Sequence, residues 1–228
     1  MLRHVFAMHV PAFARALGLA RTLDDLGPAT APLLASGPAG VAITFDDGPH
    51  PDGTPLMLEV LARHEAHATF FLVGEQVARR PQLARRIAAE GHTIGLHGHL
   101  HRPHPTRSAS EMERDYERAL AVIADATGVA PRLHRPPFGI YSPTSLRMAR
   151  ERGLQPLLWS RWGKDWRKFT TPPEIARRVL GGVAAGDVIL LHDADFYSAK
   201  RSHYRTAEAL PEILAKLKSG GLDTVGAA

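Results

Sequence analysis

The sequence predicts an α/β fold whose mostly parallel sheet curls into a closed or nearly closed barrel. Short apolar runs recur from residue 40 onward, and segments of helical period separate them. Polar residues also collect at the C-terminal end of nearly every run. Alternation of strand and helix is the pattern of parallel sheets with crossover helices, and barrels of this kind carry their functional groups on the C-terminal face. A length of 228 residues suits one such domain, and an apolar fraction of 44% provides for a substantial core.

Residues 1–39 read as an extension to the barrel, with a short helix over roughly 9–21 followed by a loop. Gly27-Pro28 and Ser36-Gly37-Pro38 are its turn signals. Over 40–228, strands are expected at Val41–Phe45, Ala68–Val73, Thr93–Leu96, Leu133–Arg135, Leu154–Trp159, Val188–Leu191 and Thr224–Val225. Helices are expected between them at Leu56–Ala62, Leu83–Ala89, Met112–Ala124 and Ile175–Val183. Gly220-Gly221 supplies the turn before the last strand. No repeat or low-complexity segment interrupts the pattern.

Composition excludes several classes. There is no cysteine, so any metal must be held by His, Asp or Glu. The formal charge of +5 favours polyanions such as nucleic acid, wall polymers or anionic lipid. Against this, arginine falls on solvent faces of helices, as in Ala84-Arg85-Arg86-Ile87, and no block of five or six like charges occurs. Nucleic acid is therefore not an expected partner. No apolar run is long enough for a membrane span. His4, His9 and Arg15 interrupt any signal-peptide core. A cytoplasmic location is expected if Met1 is the native start, and a surface or secreted one if an export signal has been trimmed.

The chemistry begins at Asp46-Asp47, which end the first strand ahead of a Gly48-Pro49 turn. Two adjacent carboxylates at a buried strand end are costly without a compensating charge or task. Either they cap a helix and meet solvent, or one binds a metal and the other acts as a base. His97 and His101 offer imidazoles; on a helical turn they share a side, whereas on an extended strand His97, His99 and His101 share a face. His192 ends the apolar run Val188–Leu191, with Leu190 on its side. Arg135 also ends a strand and can orient a carboxylate by paired hydrogen bonds, ahead of the rigid Pro136-Pro137-Phe138-Gly139. Asp165-Trp166 pairs a carboxylate, able to hold a histidine in one tautomer, with a flat apolar surface. The segment Asp193–Tyr204, with Tyr197, Lys200, Arg201, His203 and Tyr204, reads as a loop at the rim beside His192.

These residues fall into five ordered motifs: Thr44–Pro49, His97–His101, Arg135–Gly139, Asp165-Trp166 and Leu190–His192. In that order they resemble the polysaccharide deacetylases of the NodB-homology type, carbohydrate esterase family 4. The resemblance implies a distorted (β/α)7 barrel and a divalent metal, usually zinc, bound by Asp47, His97 and His101. Cobalt, nickel and iron also suit this ligand set. It further implies Asp46 as general base, His192 as general acid, Arg135 orienting Asp46 and Asp165 tuning His192. Trp166 and Leu190 would line the acetyl pocket, and the Phe138 backbone N–H would help hold the oxyanion.

The sequence departs from the family pattern at Gly98, where Ser or Thr is usual, and at Arg102, where Pro is frequent. The usual earlier aspartate of the fourth motif is missing from Arg161-Trp162-Gly163-Lys164. No proposed ligand or acid–base group is lost. The expected substrate is an N-acetylated glycan, peptidoglycan or chitin-like. Two alternatives are a small-molecule amide or imide hydrolase on the same barrel and a non-catalytic carbohydrate-binding barrel.

Overall fold

Strand β1 (Gly40–Asp46) is buried along its whole length. It lies at the centre of a parallel sheet, between β2 (Ala68–Leu72) and β7 (Val188–His192). A computed structural model describes residues 40–227, so the helix expected at roughly 9–21 lies outside the described residues. Burial on both faces explains why β1 reads as a nearly continuous apolar run rather than an alternating one.

Beyond β2 the sheet continues through β3 (Thr93–Leu96) and β4 (Leu133–His134) to an edge at β5 (Gln155–Pro156). Beyond β7 it ends at β6 (Arg161–Trp162), and β8 (Asp223–Thr224) pairs with the first two residues of β1. All these pairings are parallel. The two edges are joined by residues 157–160 alone. Five Cα steps reach at most about 18 Å, so the sheet must curl until its edges face each other. The result is a barrel with an open seam, because β5 and β6 do not pair.

The fifth expected strand, Leu154–Trp159, is therefore corrected to two short strands on opposite edges. Leu157 N–H still donates to His134 O on one side, and Ser160 N–H already donates to Val188 O on the other. Between them the carbonyls of Leu157 and Leu158 accept from the Arg135 guanidinium at 3.0 Å each. A buried cation takes acceptors that a continuous ladder would have used.

Period two sorts the strand residues. Val41, Ile43 and Phe45 face the helices, where they pack with Leu58, Leu61 and Leu210. Each such side chain contributes roughly 1.5–3 kcal/mol by leaving water. Ala42 and Val188 face the barrel interior with Phe71, Leu133 and Leu157. Thr44 and Asp46 share that inner face, and this alternation aims Asp46 into the barrel mouth.

Around the sheet lie α1 (Gly53–Arg63), α2 (Gly74–Arg79), α3 (Pro81–Ala89), α4 (Ala109–Thr127), α5 (Pro143–Glu151), α6 (Pro172–Leu180) and α7 (Ser202–Ser219). Helix α7 packs on α1 and α6, and α4 on α2, α3 and α5. Helices α2, α5 and α7 fall outside the ranges named from the sequence, although alternation of strand and helix leaves room for them. Helix α5 has a capping box of Ser142 and Ser145 with Pro143 in its first turn, a local start signal. Helix α7 contains Pro211, which breaks the sequence signal without ending the helix. It starts at Ser202, so the expected loop Asp193–Tyr204 is shorter, and His203 is buried rather than at a rim.

Candidate active site

Adjacent residues of a strand point to opposite faces, yet Asp46 and Asp47 both reach the same cavity. The strand ends at Asp46, and Asp47 adopts φ +83°, a left-handed backbone uncommon outside glycine. That turn swings the second carboxylate round beside the first. The following Gly48-Pro49 peptide is cis, and a Cβ at Gly48 would collide with the Asp193 carboxylate.

The loop after β3 is pinned from two sides. Gly74 and Glu75 N–H, at the start of α2, donate to Gly98 O and His99 O at 2.9 and 3.0 Å. From α4, the buried Asp115 carboxylate accepts from His99 N–H at 2.7 Å and Leu100 N–H at 3.1 Å. Gly98 has φ +83°, which accounts for glycine at that departure from the family pattern. Held this way, His97 and His101 converge on Asp47 Oδ1, with Nε2 distances of 3.5 and 3.2 Å. They do so from a loop rather than a helical turn. The extended three-histidine arrangement does not form, because His99 packs against Gly74 instead.

The donor set fits a divalent metal. His97 Nδ1 lies 2.7 Å from Arg135 O, a carbonyl that can only accept. The proton is therefore on Nδ1, and the Nε2 lone pair faces Asp47. Asp47 Oδ1 is buried without a hydrogen-bond donor. Ligand atoms 2.0–2.1 Å from a tetrahedral zinc stand about 3.4 Å apart, close to the spacings seen. Burial alone would raise the Asp47 pKa, but the facing His101 and His97 outweigh it and hold the carboxyl far below its usual range.

A second trio, His50, Asp195 and His203, also lies close together. His50 Nδ1 accepts from Asp52 and Gly53 N–H at 3.1 and 3.0 Å. Its proton is then on Nε2, which leaves no lone pair toward Asp195 for an ion.

Arg135 is 0% exposed and satisfies its charge inside the barrel. It donates to Asp46 Oδ1 at 2.7 Å and to Thr44 Oγ1 at 2.8 Å, besides the seam carbonyls, and lies 4.1 Å over the Phe71 ring. Asp46 Oδ2 is 3.8 Å from His97 Nε2. Across the sheet, His192 stands in register with Asp46. Its Nδ1 is 3.0 Å from Asp165 Oδ1, while Asp165 Oδ2 accepts from His192 N–H and from Thr206 Oγ1. Burial would depress the His192 pKa, but the charge and hydrogen bond of Asp165, helped by Asp47 and Asp46, push it up to about 10.

A cavity of about 340 Å³ opens over these groups. Asp46, Asp47, His97, His101, Phe138, Trp166, Leu190 and His192 line it; Arg135 and Asp165 stand behind the lining. A second hollow of about 620 Å³, near Glu59, Glu65 and His67 at the N-terminal strand ends, shares none of these residues. Tyr197, expected at the rim beside His192, lines the cavity, whereas Trp159 and Trp162 were not foreseen in this role. Tyr197 stacks on His101, with centroids 4.1 Å apart and 8° between planes, and Phe138 meets the same imidazole edge-on at 4.6 Å. Trp159 and Trp162 extend the aromatic wall from Trp166. Aromatic residues after a strand were the available signal, and their spacing alone does not tell wall from core.

A family model described as polysaccharide deacetylase matches residues 35–157. The peptidoglycan-N-acetylglucosamine deacetylase PgdA of Listeria monocytogenes is 35% identical over 185 residues, 81% of this chain and 37% of that protein. The chain thus spans little more than a third of that relative. A chitooligosaccharide deacetylase of a Bradyrhizobium species is 34% identical, over 82% of this chain and 89% of the relative. Among solved structures, the Bc1960 peptidoglycan N-acetylglucosamine deacetylase aligns with a TM-score of 0.78 at 33% identity, covering 83% of this chain and 86% of that one. The match in sequence runs from ahead of β1 through β5, and the match in fold covers most of the chain: this protein belongs to the polysaccharide deacetylase family, with its NodB-homology fold.

Proposed function

We propose that the chain is a metal-dependent hydrolase removing N-acetyl groups from amino sugars of a polysaccharide. The observation that carries this reading is the meeting, in one cavity, of a carboxylate fixed by a buried arginine, an aspartate–histidine donor set and a cationic histidine. When bound by Asp47, His97 and His101, a divalent cation, zinc being the usual one, supplies Lewis acidity toward the acyl carbonyl and acidifies water.

The residues themselves divide the proton work. Asp46, its Oδ1 held by Arg135, presents Oδ2 to take the proton of the attacking water. His192, charged at neutral pH and backed by Asp165, gives its proton to the departing amine nitrogen. Amide cleavage needs that proton because a free amide anion leaves poorly. Leu190 and Trp166 form an apolar seat for the acetyl methyl, and the Phe138 N–H is the backbone donor to the oxyanion.

Acetate release tests the reading. The metal-loaded protein is expected to release acetate from N-acetylglucosamine oligomers or peptidoglycan. Release from small amides only would favour the small-molecule alternative, and no release from any substrate a binding barrel. His97→Ala is expected to lose zinc on dialysis that leaves the parent loaded, as measured by elemental analysis. Retention of stoichiometric zinc by that variant would remove His97 from the ligand set.

Asp165→Asn addresses the acid. A His192 pKa raised from 6.5 to about 10 means the pair's stabilisation is complete below about 6.5 and is lost as pH rises through about 10. The same proton is the catalytic one. Removing the Asp165 charge is expected to move the alkaline limb of the kcat profile down by about one pH unit or more. An unmoved limb would detach Asp165 from His192.

A further inference from the structure

The two histidines of the donor set are held in different ways. His97 gives its Nδ1 proton to Arg135 O at 2.7 Å, so a hydrogen bond fixes both its tautomer and its ring plane. That is the usual arrangement for a metal-binding histidine, whose second ring nitrogen donates to a carbonyl, a carboxylate or water. Among the described residues, His101 makes no such bond to the protein. Its Nε2 stands 3.2 Å from Asp47 Oδ1, and its other contacts are with rings.

Tyr197 supplies the closest of these rings. It lies parallel to the imidazole, 4.1 Å between centroids and 8° between planes, and Phe138 meets the same ring edge-on at 4.6 Å. A face and an edge together oppose rotation of the imidazole. Tyr197 is itself anchored. Its hydroxyl donates to Glu75 Oε1 at 2.8 Å and accepts from Gln76 Nε2 at 3.0 Å, and Gln76 Oε1 accepts from Arg80 Nη1 at 2.8 Å. Burial, above all, pushes the Tyr197 phenol well above its ordinary range, so the proton shared with Glu75 stays on the hydroxyl. Glu75 also gives its backbone N–H to His99 O at 3.0 Å. The first turn of α2 therefore fixes both the loop that carries His101 and the ring that lies on it. Beyond Tyr197, Ala199 N–H donates to Trp166 O at 3.0 Å, which ties the same segment to the aromatic wall.

We infer that Tyr197 is a positioning residue for the metal site, its stacked ring doing for His101 what the Arg135 carbonyl does for His97. Tyr197 lies outside the five motifs, on the segment between β7 and α7. With the stack removed, the imidazole is free to turn about its side-chain bonds. Binding a metal must then stop that motion, and the entropy lost weakens the complex. The inference rests on the reading of Asp47, His97 and His101 as ligands, and metal binding without any substrate tests it.

Zinc affinity of the metal-stripped protein is measured by competition with a chromophoric chelator. Tyr197→Leu removes the aromatic face and is expected to bind zinc about 10–100-fold more weakly, the usual cost of losing a group that orients a ligand. Tyr197→Met, with a longer and more adaptable side chain, is a second non-aromatic variant and should match it. Tyr197→Phe keeps the face and is expected to restore most of the loss. Cobalt(II) in place of zinc gives a readout that a general loss of stability would not move. Its visible bands follow ligand geometry and are expected to shift in the non-aromatic variants but not in Tyr197→Phe. Urea unfolding of the metal-free proteins is expected to show all three variants folded, so that the affinities compare like with like. Parental zinc affinity in both non-aromatic variants, an unshifted cobalt spectrum in both, or a loss in Tyr197→Phe as large as theirs overturns the inference. A parent protein that holds no zinc brings down the ligand set itself, and the inference with it.

Discussion

Asp46→Asn is expected to bind zinc as the parent does and to lose about 10²- to 10⁴-fold in the rate of acetate release, the usual contribution of a positioned general base. The substitution is informative because it preserves the shape of the site, although it leaves the buried Arg135 charge without its partner and is expected to cost stability as well. Asparagine keeps an oxygen for Arg135 Nη1, now 2.7 Å from Asp46 Oδ1, and nearly the same volume in a buried position. What it cannot do is take a proton. Acetate release and zinc content measured on the same sample separate the two roles that adjacent carboxylates could share. A variant retaining most of its activity would assign the base elsewhere; one that also lost zinc would place Asp46 among the ligands.

The largest expected effect on stability belongs to Arg135. Arg135→Met keeps much of the side-chain volume over Phe71 but removes the charge facing Asp46 and the donors to Thr44, Leu157 and Leu158. Breaking a buried pair by taking one partner costs about 3–5 kcal/mol, because the other charge is left buried and alone. Urea unfolding of the metal-free protein would measure it. Arg135→Met/Asp46→Asn should recover part of the loss, since it removes the orphaned charge as well. A single variant as stable as the parent would mean that water reaches Asp46 and that the pair is not sealed in the folded protein.

The groups at strand ends were legible because chemistry and position coincide there. Asp46 and His192 each close an apolar run and Arg135 follows a short strand, and a parallel barrel gathers such ends at one mouth. Spacing could not choose between His99 and His101. That choice depends on Asp115, which sits on an amphipathic helix and reads as a solvated charge until its two backbone donors are seen. The split of the fifth strand was hidden for a related reason. Gln155 and Pro156 mark the run as irregular, but what diverts the carbonyls of Leu157 and Leu158 is the distant Arg135. Long-range polar contacts leave no periodic trace in a sequence.

The open seam between β5 and β6 therefore links fold integrity to activity. The guanidinium that fills the seam is also the group that aims the base. Two-residue strands flank it, so local opening there sacrifices few ladder bonds compared with opening β1 or β7. Such an opening would release the Leu157 and Leu158 carbonyls and leave Asp46 unaimed while the rest of the barrel stayed folded. Holding the two edges around Arg135 is, for this protein, part of assembling its base.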